Sequence, residues 1–181
     1  MKLKVSDTMP NFSFQTPSQK SMDLKAAVGG KKTVVAFLRY FGCRATQVDL
    51  IDFTKGYRKL SDAGAGLLVV LQSDPKLLSQ VFKNQPAPFT VAADPEQKLY
   101  RELEITPAET KELLLGESEK WEAKKKRIAE LGLVHGEYEG EELQLPAVFV
   151  VDPGLKVLYA YYGKNIADVP DLEELLAVCR S

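Results

Sequence analysis

The stretch TVVAFLRYFGCRAT, residues 33–46, decides how this chain folds. Its first part, TVVAFLRYF (33–41), is an unbroken apolar and β-branched run, the pattern of a strand buried on both faces. Beyond Gly42 the spacing changes. Leu50, Phe53, Tyr57 and Leu60 recur at helical intervals, as do Val48 and Ile51, which predicts a helix from Cys43 or Arg44 to Leu60. Cys43 therefore stands on a strand-to-helix turn. At a helix start, unpaired backbone N–H groups and the helix dipole favour a thiolate, and an adjacent arginine such as Arg44 adds to the effect. The thiolate is the nucleophilic form of cysteine. Three residues on, where a disulfide enzyme would carry a second cysteine, stands Thr46.

On the N-terminal side, PNFSFQTPSQKSMDL (10–24) alternates around a Pro-Ser turn and reads as a short edge hairpin. LKAAVGGKK follows as a helical turn closed by glycines. On the C-terminal side, LLVVLQ (67–72) is a second buried strand, and Asp74 and Pro75 open a helix as N-cap and first residue. PFTVAADP is a short strand, with a helix expected from Pro95 to about Leu103. The alternation of strand and helix implies an α/β sheet with right-handed crossovers.

Residues 106–143 break that alternation. They are rich in Glu and Lys, with SEKWEAKKKRIAELG reading as a solvated helix and HGEYEGEE as a loop. LPAVFVVDPGLKVLYAYYG then gives two strands around an Asp-Pro-Gly turn, and a last helix starts at Asp171. Parallel strands that end in an antiparallel hairpin and a helix form the topology of a thioredoxin-like fold. The expected architecture is α/β, a central mixed sheet flanked by helices, with an N-terminal hairpin and a helical insertion. One domain over residues 1–181 is expected, the charged segment 106–143 lying within it.

Composition narrows the function classes. The 181 residues hold 24 basic and 25 acidic side chains for a net charge of −1, a balance that argues against a nucleic-acid binder. The chain is 45% hydrophobic and 27% charged, ordinary values for a globular protein. No apolar run approaches the roughly 20 residues that span a bilayer, and the N-terminus lacks a signal-peptide core. With Cys43 and Cys179 as the only cysteines, the chain reads as a cytoplasmic protein in a reducing compartment. One histidine and scattered cysteines offer no metal-ligand cluster, and no cofactor is expected.

Four stretches together carry a family resemblance: MPNFSF (9–14), FLRYFGC (37–43), DPEQKLYRELEI (94–105) and LQLPAVFVVDPGLKVLYAYYGKNIADVPDLEELL (143–176). The chain resembles a peroxiredoxin-like protein of the AhpC/TSA group in the thioredoxin superfamily, nearest to the selenoprotein U-like branch. It departs from that branch at Thr46, which replaces the second cysteine of Cys-x-x-Cys, and it lacks the Pro-x-x-x-Thr-x-x-Cys signature of standard peroxiredoxins. The resemblance implies a thiol oxidoreductase or antioxidant protein in which Cys43 alone attacks a peroxide or disulfide. An external thioredoxin- or glutathione-like thiol would then resolve it. It also implies a cis proline at Pro146 lying against Cys43, and dimers among related proteins.

The remaining candidates follow from position. Thr46 is placed to hydrogen-bond the Cys43 sulfur, and Arg39 or Arg44 to offset negative charge, although strand alternation leaves the direction of Arg39 open. Cys179, two residues from the C-terminus, is a candidate resolving cysteine or a packing residue. His135 reads as an exposed loop histidine. Trp121, Tyr161 and Tyr162 read as core or interface aromatics, with Tyr161 or Tyr162 a candidate groove residue and Lys164 and Asn165 candidates for the site edge. Set against all of these is a redoxin domain that has lost catalysis and serves as a binding module, its Cys43 a buried structural thiol.

Overall fold

The computed structural model describes residues 1–181. The edge hairpin is present as β1 (Ser13–Phe14) and β2 (Met22–Asp23), paired antiparallel. Asp23 caps α1 (Leu24–Val28) by accepting from the Ala26 N–H, and Gly29 closes it at a φ of 56°, the left-handed value that favours glycine. β3 (Thr33–Phe37) leads into α2 (Arg44–Asp62), and β4 (Gly66–Leu71) into α3 (Pro75–Val81). As the sequence implies, Asp74 caps α3, accepting from Lys76 N–H, and Pro75 is its first residue.

β5 (Thr90–Ala93) is followed by α4 (Lys98–Glu102), which is shorter than expected. The carboxylate of Asp94 accepts from the N–H groups of Lys98 and Leu99, so the chain must turn through Pro95–Gln97 before the helix begins. Segment 106–143 contributes α5 (Lys111–Leu115) and α6 (Glu119–Leu131). β6 (Ala147–Val151) and β7 (Val157–Tyr162) form the antiparallel pair, and α7 (Leu172–Arg180) is capped by Asp171.

The main sheet runs β5-β4-β3-β6-β7, with β3, β4 and β5 parallel and β6 and β7 antiparallel. This is the mixed sheet of a thioredoxin-like fold. β3 lies at its centre, so its successive side chains enter opposite cores. Val34 and Ala36 join Leu50, Phe53 and Leu175 beneath α2 and α7, whereas Val35 and Phe37 join Phe12, Tyr100 and Phe149 on the other face. Burial on both faces explains why the run reads as continuously apolar rather than alternating. No helix is long and apolar enough to cross a membrane.

α6 corrects the expectation of a solvated helix. It packs against α2, and the basic run supplies the contact. Lys124 pairs with Asp49 at 2.7 Å, both side chains only 11% exposed, and Arg127 pairs with Asp52 at 2.5 Å. Lys125 and Lys126 remain exposed on the outer face. Burial pushes the Asp49 carboxyl up from its ordinary range, and the Lys124 ammonium opposes that shift. Removing one partner of such a buried pair leaves an uncompensated charge. Lys124→Ala should therefore lower the unfolding free energy by about 3 kcal/mol, measured by urea denaturation, and Asp49→Leu combined with Lys124→Met should recover most of it. A loss below about 1 kcal/mol in the single variant would show that the pair does not hold α6 in place.

Candidate active site

β3 ends at Phe37, so Arg39 belongs to the turn and not to the strand. The turn closes when the Cys43 N–H donates to the Tyr40 carbonyl at 3.1 Å. Cys43 is the N-cap of α2, in extended conformation at φ −69° and ψ 125°, and its carbonyl accepts from Gln47 N–H at 3.0 Å. Its side chain is 2% exposed. Arg39 Nη1 donates to Cys43 Sγ at 2.9 Å. The same guanidinium donates from Nη2 to the Glu142 carbonyl, while its Nε–H has no partner. Arg39 is itself only 6% exposed and pairs with no carboxylate. A buried cation without an acidic partner is costly, and here it faces a sulfur that carries negative charge as a thiolate.

Cys43 lines a cavity of about 480 Å3. Leu114, Leu115, Trp121, Leu143 and Ile166 give it an apolar wall, and Arg39, Arg44 and Lys111 stand at its charged side. Most of that wall comes from α5, α6 and the loop after α6, so segment 106–143 covers the cysteine turn. The loop is held by backbone contact. Gly136 N–H donates to the Gly42 carbonyl at 2.9 Å, and a Cβ on Gly42 would lie 2.8 Å from the Gly136 carbonyl carbon. Only glycine allows this approach. Gln47 Nε2 spans the same junction, donating to the carbonyls of Gly42 and Val134, each at 3.2 Å.

Tyr40 and His135 meet in this wall, the Tyr40 hydroxyl 3.1 Å from His135 Nε2. His135 Nδ1 lies 2.7 Å from the Gly136 carbonyl, and the His135 ring stacks on Tyr138 with centroids 4.2 Å apart. Burial pushes the Tyr40 phenol up to about 12, against the opposing charge of Arg39. The sequence pattern puts Tyr40 in the strand and His135 in an exposed loop, and the structure corrects both. The available signal was slight: an aromatic residue and a histidine in a loop otherwise made of Gly and Glu.

The other sequence candidates are distributed unevenly. Thr46 is buried one turn into α2, but the hydrogen bond to Cys43 Sγ comes from Arg39 and not from its hydroxyl. Arg44 is exposed and lines the cavity. Pro146 is buried, but the chain contains no cis peptide bond, so the Leu145–Pro146 bond is trans, the intrinsically preferred isomer. Pro146 packs at Gly163, whose N–H its carbonyl accepts at 2.8 Å, and Leu145 is the residue packed against the Cys43 cluster.

Cys179 is 6% exposed in the core beneath α2 and α7, and burial pushes its thiol up. It lies near Lys32, before β3 begins, whereas Cys43 lies beyond the end of β3, so the length of the strand separates the two thiols. Disulfide geometry requires Cα atoms within about 7 Å, and both cysteines are free. Tyr161 and Tyr162 are tied elsewhere, donating to Asp168 Oδ1 and to the Leu103 carbonyl respectively. From the loop after β7 it is Ile166, rather than Lys164 or Asn165, that lines the cavity. No group of three or more His, Cys, Asp or Glu side chains is arranged to hold a metal ion.

A sulfur nucleophile with a guanidinium donor, set in a small covered cavity, is equipped to attack an electrophilic oxygen or sulfur. Solved structures of similar shape share this kind of scaffold. The peroxidoxin BcpB of Mycobacterium tuberculosis superposes with a TM-score of 0.66 at 14% identity, covering 98% of this chain and 97% of that one. A putative thiol:disulfide interchange protein DsbE of Chlorobium tepidum gives 0.63 at 18%, over 98% and 99% of the two chains. A yeast mitochondrial 1-Cys peroxiredoxin gives 0.66 at 14%, over 97% and 74%. At these identities the likeness is one of fold. No curated protein is close enough in sequence to count as a match. The AhpC/TSA family matches residues 5–160, nearly the whole of the fold described above, and the chain belongs to that family.

Proposed function

We propose that the chain is a peroxiredoxin-like thiol oxidoreductase in which Cys43 works as the single reactive thiol, reducing peroxides or disulfides. The observation that carries this reading is the Arg39 guanidinium on the Cys43 sulfur, inside a cavity that holds no second thiol. With a peroxide, the sulfur attacks one oxygen, an S–O bond forms as the O–O bond breaks, and Cys43 becomes a sulfenic acid. An external thiol attacks that sulfur, releasing water and leaving a mixed disulfide. A second thiol frees Cys43. The reductant is a thioredoxin- or glutathione-like thiol, in keeping with the yeast 1-Cys protein, whose thiol resolving mechanism runs via glutathione/thioredoxin systems. Thr46 shapes the turn in this reading, Pro146 acts only through its neighbour Leu145, and Arg44 supports charge at the cavity mouth. We place the chain near the selenoprotein U-like branch, as one cytoplasmic redoxin domain with segment 106–143 inserted, working as a homodimer.

One observation favours the second reading, a binding module without turnover: Cys43 is 2% exposed. Mass spectrometry after brief near-stoichiometric hydrogen peroxide, with a sulfenic-acid trap present, separates the two. Rapid trapping at Cys43 with Cys179 untouched is expected. If Cys43 stays reduced while small thiols in the same tube are oxidised, the binding-module reading stands instead. Arg39→Met should slow Cys43 trapping roughly 10- to 100-fold, the kinetic equivalent of a hydrogen bond to a charged group worth about 1.5–3 kcal/mol. Trapping at the unaltered rate would remove Arg39 from the chemistry.

A further inference from the structure

Tyr40 and His135 come from parts of the chain 95 residues apart and meet in the wall of the Cys43 cavity. Their geometry defines which proton sits where. The Gly136 carbonyl can only accept, so His135 Nδ1, 2.7 Å away, carries a hydrogen. Nε2 is then free to exchange a proton with the Tyr40 hydroxyl at 3.1 Å. With the ring neutral, Tyr40 donates to Nε2. With Nε2 protonated, the imidazolium donates to the Tyr40 oxygen, and the Tyr40 O–H is released to turn toward the cavity. Tyr138, stacked at 4.2 Å and 25° from parallel, fixes the imidazole plane.

We propose that Tyr40 is the general acid of peroxide cleavage at Cys43 and that His135 returns its proton. The proposal rests on the peroxidase reading above and deepens it. Cys43 reacts as the thiolate, its proton having passed to solvent, and His135 enters the step protonated at Nε2. The sulfur electron pair attacks the hydroxyl oxygen of an organic hydroperoxide, the S–O bond forms and the O–O bond breaks, and the bonding pair leaves on the alkoxide. That alkoxide takes the proton of the Tyr40 hydroxyl, and the Tyr40 oxygen takes the proton from His135 Nε2. Sulfur is oxidised to the sulfenic acid, the peroxide is reduced to an alcohol, and His135 ends neutral.

Two further features suit the assignment. A phenol pushed up to about 12 keeps its proton at rest, yet transfer to an alkoxide, about as basic as hydroxide with its conjugate acid near 15.7, runs downhill. The Arg39 guanidinium carbon lies 5.2 Å from the Tyr40 ring centroid and offsets charge developing on the phenol. One cation thus serves both the nucleophile and the acid.

The test compares peroxides that differ in their need for a proton. Cleavage of tert-butyl hydroperoxide expels a strongly basic alkoxide, whereas peracetic acid expels acetate, which leaves without protonation. Rates of Cys43 sulfenic-acid formation are measured with both reagents for the unaltered protein, Tyr40→Phe and His135→Gln. The ratio of the two rates, alkyl hydroperoxide over peracid, should fall about tenfold or more in Tyr40→Phe. It should fall in His135→Gln too, because Gln can position Tyr40 but cannot pass on a proton. Equal slowing with both reagents, or an unchanged ratio in either variant, would overturn the relay while leaving the peroxidase reading intact. Should Tyr40→Phe fail to fold, the ratio in His135→Gln decides. If the unaltered protein reacts with neither reagent, the peroxidase reading fails and the relay with it.

Discussion

At the point where β3 leaves the sheet, the fully buried hydroxyl of Tyr100 donates to the Leu38 carbonyl at 2.5 Å and lies 2.9 Å from the Val70 carbonyl. The Val70 carbonyl already accepts from the Leu38 N–H at 3.0 Å, but the Leu38 oxygen, at the end of the strand, would otherwise be buried without a partner, at a cost of about 1–3 kcal/mol. Burial pushes the Tyr100 phenol well above its ordinary range, so it remains a donor. Asp94 sets the start of α4 and Phe37 packs edge-on at 5.2 Å, which together fix where the Tyr100 ring stands. The central strand therefore stops at a defined place. Everything chemical in the molecule follows from that stop, because Arg39, Tyr40 and Cys43 are the next residues in the chain.

The parts of the fold that were legible in the sequence are those encoded locally. A strand buried on both faces shows as TVVAF, a capped helix start as Asp74-Pro75 or Asp171, and a hairpin turn as Asp-Pro-Gly. Cys43 was legible for the same reason, since its turn position is a change of period between adjacent residues. The late start of α4 was not, because Asp94 acts as a cap only through a turn whose shape depends on the fold around it.

What escaped the sequence is long-range. Asp49 and Lys124 are 75 residues apart, Tyr40 and His135 are 95 apart, and neither pairing is visible until the two helices or loops are brought together. The direction of Arg39 was undetermined for a related reason: whether it points into the cavity depends on β3 ending at Phe37, four residues earlier than the apolar run does. Thr46 marks the opposite case. Its position beside Cys43 was plain, yet the hydrogen bond to the sulfur went to a guanidinium.

The cover over Cys43 has a kinetic consequence. Cys43 meets accessible space in the cavity beneath segment 106–143, and Cys179 lies in a different core. On the proposed chemistry, oxidant and reductant must then use the same doorway and cannot occupy it together. The first product has to depart before the second reactant enters. Turnover of that kind is ping-pong, and an excess of either reactant obstructs the other, so the throughput of the enzyme is set by the balance between peroxide and thiol around it.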